Sequence, residues 1–344
     1  MFQRILVPLD GSERAEEAIS TAAYLARTTG ASLFLVRGVI PSPAYVSAYP
    51  YSLEPPELLE KAEAQVEIDA RDYLSHLILT EHLDTIHHHI EVLSGLPAPC
   101  ILQFVRENKI DLIVMRSHGE TGFKRWLLGS VARGIVRHSP VPALIIRDAC
   151  TPAFSKLQES LHSIRVLVPL DGSRFAESAL LPAAQLSAAF ASPAQGAIHL
   201  MQTVHSISEE EDHKHKDVIV RINKDTLVEA EVYLKNVEQR FFTGDLAQFH
   251  LQVTSSVVPH SYHTEIWKRI IEEAEQAQVR SFHSPDLGDV TECAGCDIIA
   301  MATHGRHGLE HLLEGSITES VLDASRHPLL TVYPQVEGTE EESQ

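Results

Sequence analysis

The chain contains its own pattern twice. Arg4-Ile5-Leu6-Val7-Pro8-Leu9-Asp10-Gly11-Ser12 returns 161 residues later as Arg165-Val166-Leu167-Val168-Pro169-Leu170-Asp171-Gly172-Ser173. A second match, Ser117-His118-Gly119 through Gly129-Ser130, returns 186 residues later as Thr303-His304-Gly305 through Gly315-Ser316. Two motifs in the same order, far apart in each copy, require two domains of one fold. A length of 344 residues accommodates two domains of ordinary size. Each can bury roughly two thirds of its surface without covalent or metal staples.

Within the first repeat, strand and helix patterns alternate. Residues 4–9 form a short apolar run that breaks at Asp10-Gly11-Ser12, a strand followed by a turn. Ser12 and Ala15 make half a capping box, and Glu13, Glu16 and Glu17 suit the first turn of a helix. Ala15, Ala18, Ile19, Ala22, Ala23, Leu25 and Ala26 then share one helical face up to Gly30. Further strands are expected at 32–40, 87–93, 111–115 and 143–147, with helices at 57–83, 98–108 and 123–138 and a Pro/Tyr/Ser-rich loop at 41–56. In the second repeat, strands are expected near 165–170, 197–204, 249–258, 297–301 and 329–333, with insertions at 209–217 and 281–294. This order predicts an α/β fold. It comprises two tandem Rossmann-like domains, each an open five-stranded, mostly parallel sheet with helices on both faces. The expected division is 1–147, a linker at 148–162, 163–334, and an acidic tail at 335–344 without fixed structure. The final strands, at 142–147 and 328–333, are apolar and fall on sheet edges. Pairing through them is expected, within the chain or in a homodimer.

Composition narrows the function classes. Hydrophobic residues make up 44% and charged residues 22%, as in soluble globular proteins. No run approaches 18 apolar residues, and the start lacks the apolar core of a signal peptide. Four cysteines suit a reducing compartment, so a cytoplasmic protein with no membrane contact is expected. The net charge of −19 is unevenly shared: residues 1–147 carry 14 basic and 17 acidic side chains, the remainder 14 and 30. An acidic half repels a phosphate backbone at long range, which argues against nucleic acid as a partner. A local phosphate site built from backbone N–H groups needs no basic residues and stays open.

Two segments carry chemistry in each repeat. Asp10, at the end of the first strand, can accept hydrogen bonds from a ligand hydroxyl or amine; Asp-Gly-Ser serves equally well as a helix-start turn. Glycines at the junction after the fourth strand bring backbone N–H groups towards an anion, and the helix after Gly129-Ser130 adds its positive end. Walker A and Gly-x-Gly-x-x-Gly patterns are both absent.

Pro-Leu-Asp-Gly-Ser, then Met-x-x-His-Gly-x9-Gly-Ser, then His-x-Pro-Val-Pro before a last strand together resemble the universal stress protein family, across essentially both repeats. The family's ATP-binding members carry Gly-x2-Gly-x9-Gly-Ser/Thr. The resemblance implies a tandem protein that binds adenine nucleotide, ATP with Mg²⁺, in a regulatory role without strong catalysis. It also implies pairing through the last strand. Base and ribose contacts are implied for Pro8, Asp10, Val39 and Met115, and phosphate contacts for Gly119, Gly129, Ser130 and Val131. The matching positions in the second repeat are Pro169, Asp171, Val204, Met301, Gly305, Gly315, Ser316 and Ile317. Both copies depart from the pattern at the first glycine, which is Arg116 in one and Ala302 in the other. Ala302 adds one methyl group and is expected to be tolerated. Arg116 either crowds a nucleotide or swings out to pair with a phosphate. Glu310 and Glu314 stand where the first repeat has Lys124 and Leu128, and carboxylates oppose a phosphate chain, so the first repeat is favoured for ATP. The alternative is a nucleotide-free protein acting through dimerisation and partner binding.

Other candidates carry less. Cys293-Ala294-Gly295-Cys296 has redox or metal spacing but stands alone and precedes a strand. His307 and His311 are four apart near His304 with no carboxylate pattern around them, and His87-His88-His89 must alternate across a strand. His118 and His304 occupy matched positions beside the glycine loop, as loop-shaping groups or phosphate contacts. No nucleophile–base pair argues for catalysis, and any ATP hydrolysis is expected to be slow and incidental.

Overall fold

The first apolar run forms β1 (Arg4–Leu9), and Ser12 starts α1 (Glu13–Thr29) by accepting the Ala15 N–H on its hydroxyl. Gly30, at φ 73°, closes that helix in the left-handed conformation, its N–H bonded to the Ala26 carbonyl. The chain continues through β2 (Ser32–Val39), α2 (Pro56–Thr80), β3 (His88–Ser94), α3 (Pro97–Glu107), β4 (Leu112–Arg116), α4 (Ser130–His138) and β5 (Ala143–Ile146). The second repeat gives β6 (Arg165–Leu170), α5 (Arg174–Glu177), α6 (Leu180–Ala191), β7 (Ala197–His205), α7 (Lys216–Phe242), a 3₁₀ turn at Ala247–Phe249 and β8 (Gln252–His260). It ends with α8 (Ile266–Glu275), β9 (Gln278–Ser284), β10 (Gly288–Ala294), β11 (Ile298–Ala302), α9 (Ile317–Ala324) and β12 (Leu329–Val332). This computed structural model describes residues 1–40, 56–117, 128–147, 164–192, 195–206, 216–261, 265–276, 278–284, 288–303 and 317–334. The expected linker and tail lie outside them.

Ten strands form one sheet in the order β3-β2-β1-β4-β5-β12-β11-β6-β7-β8. All neighbours are parallel except β5 and β12, which run antiparallel with Ile145 opposite Leu329, Leu144 opposite Leu330 and Ala143 opposite Thr331. Each repeat contributes five strands, joined along the edges expected to pair. Alternation along the strands builds a core on each face. Ile5, Val7, Leu33, Leu35, Leu112 and Val114 belong to one cluster, while Leu6, Phe34, Val36, Ile113 and Met115 belong to the other. Both clusters run through β5 and β12 into the second repeat. At about 1.5–3 kcal/mol per buried large aliphatic side chain, that shared core ties the repeats together. Tyr24 of α1 adds a stacked contact with Phe190 of α6, with ring centroids 5.9 Å apart. Its hydroxyl donates to the Phe190 carbonyl at 3.0 Å.

Two features of the second repeat add to the expected pattern. The insertion expected at 281–294 is an antiparallel hairpin: β9 and β10 pair from Gly288 opposite Ser284 to Ala294 opposite Gln278. Its short connection and β-branched, aromatic-containing strands favour local pairing, and no repeated motif marks it. The second repeat also splits the helix that α1 forms whole. Pro182 has no N–H for the Ser178 carbonyl, so α5 stops at Glu177 and α6 restarts at Leu180.

Candidate functional site

In each half of the sheet, the strand order reverses direction between the first and fourth strands of the repeat. Open α/β sheets bind ligands at the carboxyl ends of the strands flanking such a point. An open cavity of about 130 Å³ lies there in the first repeat, at the ends of β1 and β4. Pro8, Asp10, Met115, Arg116, Gly129, Ser130 and Val131 all line it. Val39 does not; its neighbour Gly38 does, and the Val39 carbonyl is taken by the Gly95 N–H at 3.0 Å. Gly119 lies outside the described residues, as do His118 and Lys124.

The lining has two characters. Pro8, Leu9, Ala15, Pro97, Ile101, Met115 and Ala132 supply an apolar surface, and Asp10, Ser117 and Ser130 supply polar groups. Gly129 is the N-cap of α4 and, having no side chain, supplies no cap to the first-turn N–H groups of the helix. Ser130 is exposed. The helix-start reading of Asp-Gly-Ser holds in both copies. Asp10 Oδ1 accepts from the Ser12 N–H at 3.0 Å and from its hydroxyl at 2.6 Å; Asp171 Oδ1 does the same with Ser173 at 2.9 and 2.6 Å. Asp10 lines the cavity as well, so turn and site coincide.

Arg116 neither crowds the cavity nor reaches out of it. Its side chain is 3% exposed and turns to α1, where Nη1 lies 3.1 Å from Glu17 Oε2. Nη1 also donates to the Arg147 carbonyl at 3.1 Å. β4 alternation explains this: Met115 faces the cluster that holds Ile101 and Ala132, which places Arg116 on the α1 face.

Sequence reasoning missed Ala15, Gly38, Pro97, Ile101 and Ser117 as lining residues. Pro97 and Ile101 sit in the first turns of α3, behind the Gly95-Leu96-Pro97 turn that follows β3, and no motif flagged that turn. It also missed Arg37, which stands opposite Leu9 in the β1–β2 register. The Arg37 guanidinium lies over the Tyr73 ring at 4.6 Å and against Gly11, where a Cβ would fall 2.8 Å from Nη2. Burial and a hydrogen bond to Glu16 hold the Tyr73 hydroxyl protonated, well above the usual tyrosine range.

In the second repeat, Pro169 lies in β6 and Asp171 follows it, Met301 and Ala302 end β11, Val204 is buried near the end of β7, and Ile317 opens α9, exposed. The Ala302 carbonyl accepts from the Thr318 hydroxyl at 2.9 Å. Gly305, Gly315 and Ser316 lie outside the described residues, as do His304, His307, His311, Glu310 and Glu314. Thr203 and Gln202 stand where the first repeat has Gly38 and Arg37.

Of the remaining candidates, Cys296 and His87, His88 and His89 lie within the described side chains, and the Cys293 side chain lies outside them. Burial pushes the Cys296 thiol up to about 12, far from the thiolate a redox pair needs. His89 stacks on Phe34 at 4.7 Å, and burial, with His87 nearby, lowers its affinity for a proton. Among the described residues, no three His, Cys, Asp or Glu side chains converge on a point where a metal would bind. No described helix is long and apolar enough to cross a membrane.

Comparison with known proteins matches this arrangement. Residues 1–147 and 164–333 each match the Universal stress protein family. A universal stress protein of Methanocaldococcus jannaschii is 31% identical over 147 residues, 43% of this chain and 83% of the relative. A universal stress protein of Thermus aquaticus is 33% identical over 147 residues, 43% of this chain and all of the relative. Among solved structures, a universal stress protein from Archaeoglobus fulgidus superposes with TM-score 0.57 at 18% identity, covering 96% of this chain and 98% of its own. A putative universal stress protein from Pseudomonas aeruginosa gives 0.57 at 14% identity, with 97% and 94% covered. At these identities the superpositions speak for the fold.

Proposed function

The chain belongs to the universal stress protein family, and we propose that its first repeat is a regulatory site for an adenine nucleotide. One observation carries this reading: six residues implied for the site by sequence resemblance, drawn from the ends of β1 and β4 and the start of α4, line one cavity at the switch point of the sheet. The lining fits the ligand class. A purine suits the surface of Pro8, Pro97, Ile101 and Met115, against which Gly38 leaves room. Asp10 suits a ribose hydroxyl, and the α4 start with Ser130 suits phosphate oxygens. Mg²⁺ would arrive with the phosphates.

The first repeat is the better host. Arg37 adds a cation near the strand ends where the second repeat has Gln202, and Gly38 leaves space that Thr203 takes up. Binding rather than turnover is the proposed role. Among the described lining residues Asp10 is the one carboxylate, and its Oδ1 already accepts two hydrogen bonds from Ser12. No nucleophile among the described lining residues is seen beside a base.

Calorimetric titration of the full chain with Mg-ATP, ADP and AMP tests the proposal. Saturable heat is expected, and it should disappear in Gly129→Val, whose branched side chain enters the lining at the phosphate end. Silence with all three nucleotides would instead favour a nucleotide-free protein acting through partners.

A further inference from the structure

The two repeats meet around an approximate twofold axis. The 186-residue offset makes Leu144 and Leu330 equivalent, and these residues face each other in the β5–β12 register. Ala143 faces Thr331, and Ile145 faces Leu329, as the same axis demands. Such an isologous contact normally presents one surface to a copy of itself.

Beside the strands, the helices break that self-match. By the same offset, Arg133 is equivalent to Glu319 and Arg137 to Asp323. Across the axis, Arg137 Nε lies 2.6 Å from Glu319 Oε1, and Arg133 Nη2 lies 3.9 Å from Asp323 Oδ1. Each position pairs with the mate of the other, so α4 is basic at both contact points and α9 is acidic at both. A third arginine adds to the asymmetry. Arg147 leaves β5, buried, and donates to the carbonyls of Leu322 and Asp323 at the end of α9. Its equivalent in the second repeat is Tyr333, so no arginine makes the reciprocal bonds.

We propose that this face is charge-coded for unlike partners: the α4–β5 surface of the first repeat accepts the α9–β12 surface of the second and rejects another copy of itself. A homotypic contact about the same axis would set Arg133 against Arg137, or Glu319 against Asp323. These partly exposed pairs contribute little attraction on their own; the selectivity comes from the repulsion built against the wrong partner. The occupant of this edge is the other half of the same chain.

Charge reversal in the full-length protein tests this. R133E/R137E and E319R/D323R each recreate, inside one chain, the like-charge contact of a homotypic pair. Each is expected to lower the melting temperature by roughly 3–8 °C and to expand the particle in small-angle scattering at low salt. The loss should shrink as ionic strength rises. The fourfold variant, which swaps the charges, should recover at least half of the lost melting temperature and the compact scattering profile. Double reversals that behave like wild type would overturn the proposal. So would a fourfold swap as unstable as either double, because opposite charges would then face each other without effect.

Discussion

Phe34 and His199 hold the same place in the two repeats, opposite Leu6 and Leu167 in their registers, and their surroundings differ in kind. Phe34 stacks on His89 and meets Phe104 edge-on at 6.2 Å. His199, equally buried, has Nδ1 at 2.8 Å from Thr254 Oγ1 and Nε2 at 3.0 Å from both Ser256 Oγ and Glu273 Oε1. Thr254 and Glu273 replace His89 and Phe104 in the equivalent strand and helix. One fold therefore supports an aromatic cluster in one copy and a hydrogen-bonded polar cluster in the other. The backbone frame is set by the alternating aliphatic strands, and a single layer beneath α3 or α8 is free to change chemistry. The second repeat holds its polar group by satisfying it: the Ser256 hydroxyl also donates to Glu273 at 2.7 Å.

The comparison breaks most severely where the repeats share a core. Ile145 is fully buried opposite Leu329. Ile145→Lys should cost at least about 4 kcal/mol by burying an unpaired ammonium. Urea denaturation followed by scattering should show the halves separating; an unchanged midpoint would mean that the joint contributes little.

Next in size is the layer itself. His199→Phe and Glu273→Leu should each cost about 2–4 kcal/mol by stranding the other group. The double variant should fall within about 1 kcal/mol of wild type, since it rebuilds the apolar arrangement of the first repeat. A denaturation double-mutant cycle with additive losses would show that the cluster is not a coupled unit.

A smaller contrast lies in the turn glycines. Gly11 and Gly172 have φ of 91° and 85°, so alanine should cost roughly 1 kcal/mol at either. Gly11→Ala should cost about 0.5 kcal/mol more, because the new methyl displaces Arg37 from Tyr73. At Gly172 the nearest atom, Gln202 Nε2, is 3.9 Å away. Equal melting points for the two variants would remove this distinction.

The smallest effect concerns acid. The His199 hydrogen bond, with help from Ser256, holds the Glu273 carboxyl below the usual glutamate range despite its burial. Its share of stability is therefore complete above the ordinary glutamate pKa and is lost as the pH falls through the lowered value. Stability measured between pH 6 and pH 3 should fall less steeply in Glu273→Gln than in wild type.

Much of this was legible in the residues. The strands of both repeats follow from apolar runs bounded by turn residues, and Ser12 and Ser173 cap helices as their positions imply. The six implied residues that line the cavity were legible because each lies beside a motif that the chain repeats. What stayed hidden depends on contacts distant in sequence. Arg116 reads as an obstacle until strand alternation turns it to Glu17. The β9–β10 hairpin interrupts a parallel pattern without a motif of its own. Pro97 and Ile101 join the site only through the packing of α3. The charge code between α4 and α9 is written in the sequence as two pairs of opposite residues, but it acquires meaning only once the antiparallel joint fixes which residues face each other.

On the proposed function, one fold, written twice, holds one nucleotide site. Native mass spectrometry of the intact chain at saturating Mg-ATP counts it. A single bound nucleotide per chain is expected, absent in Gly129→Val and retained in Gly315→Val. Two bound nucleotides, none, or one that survives Gly129→Val and vanishes in Gly315→Val would contradict it.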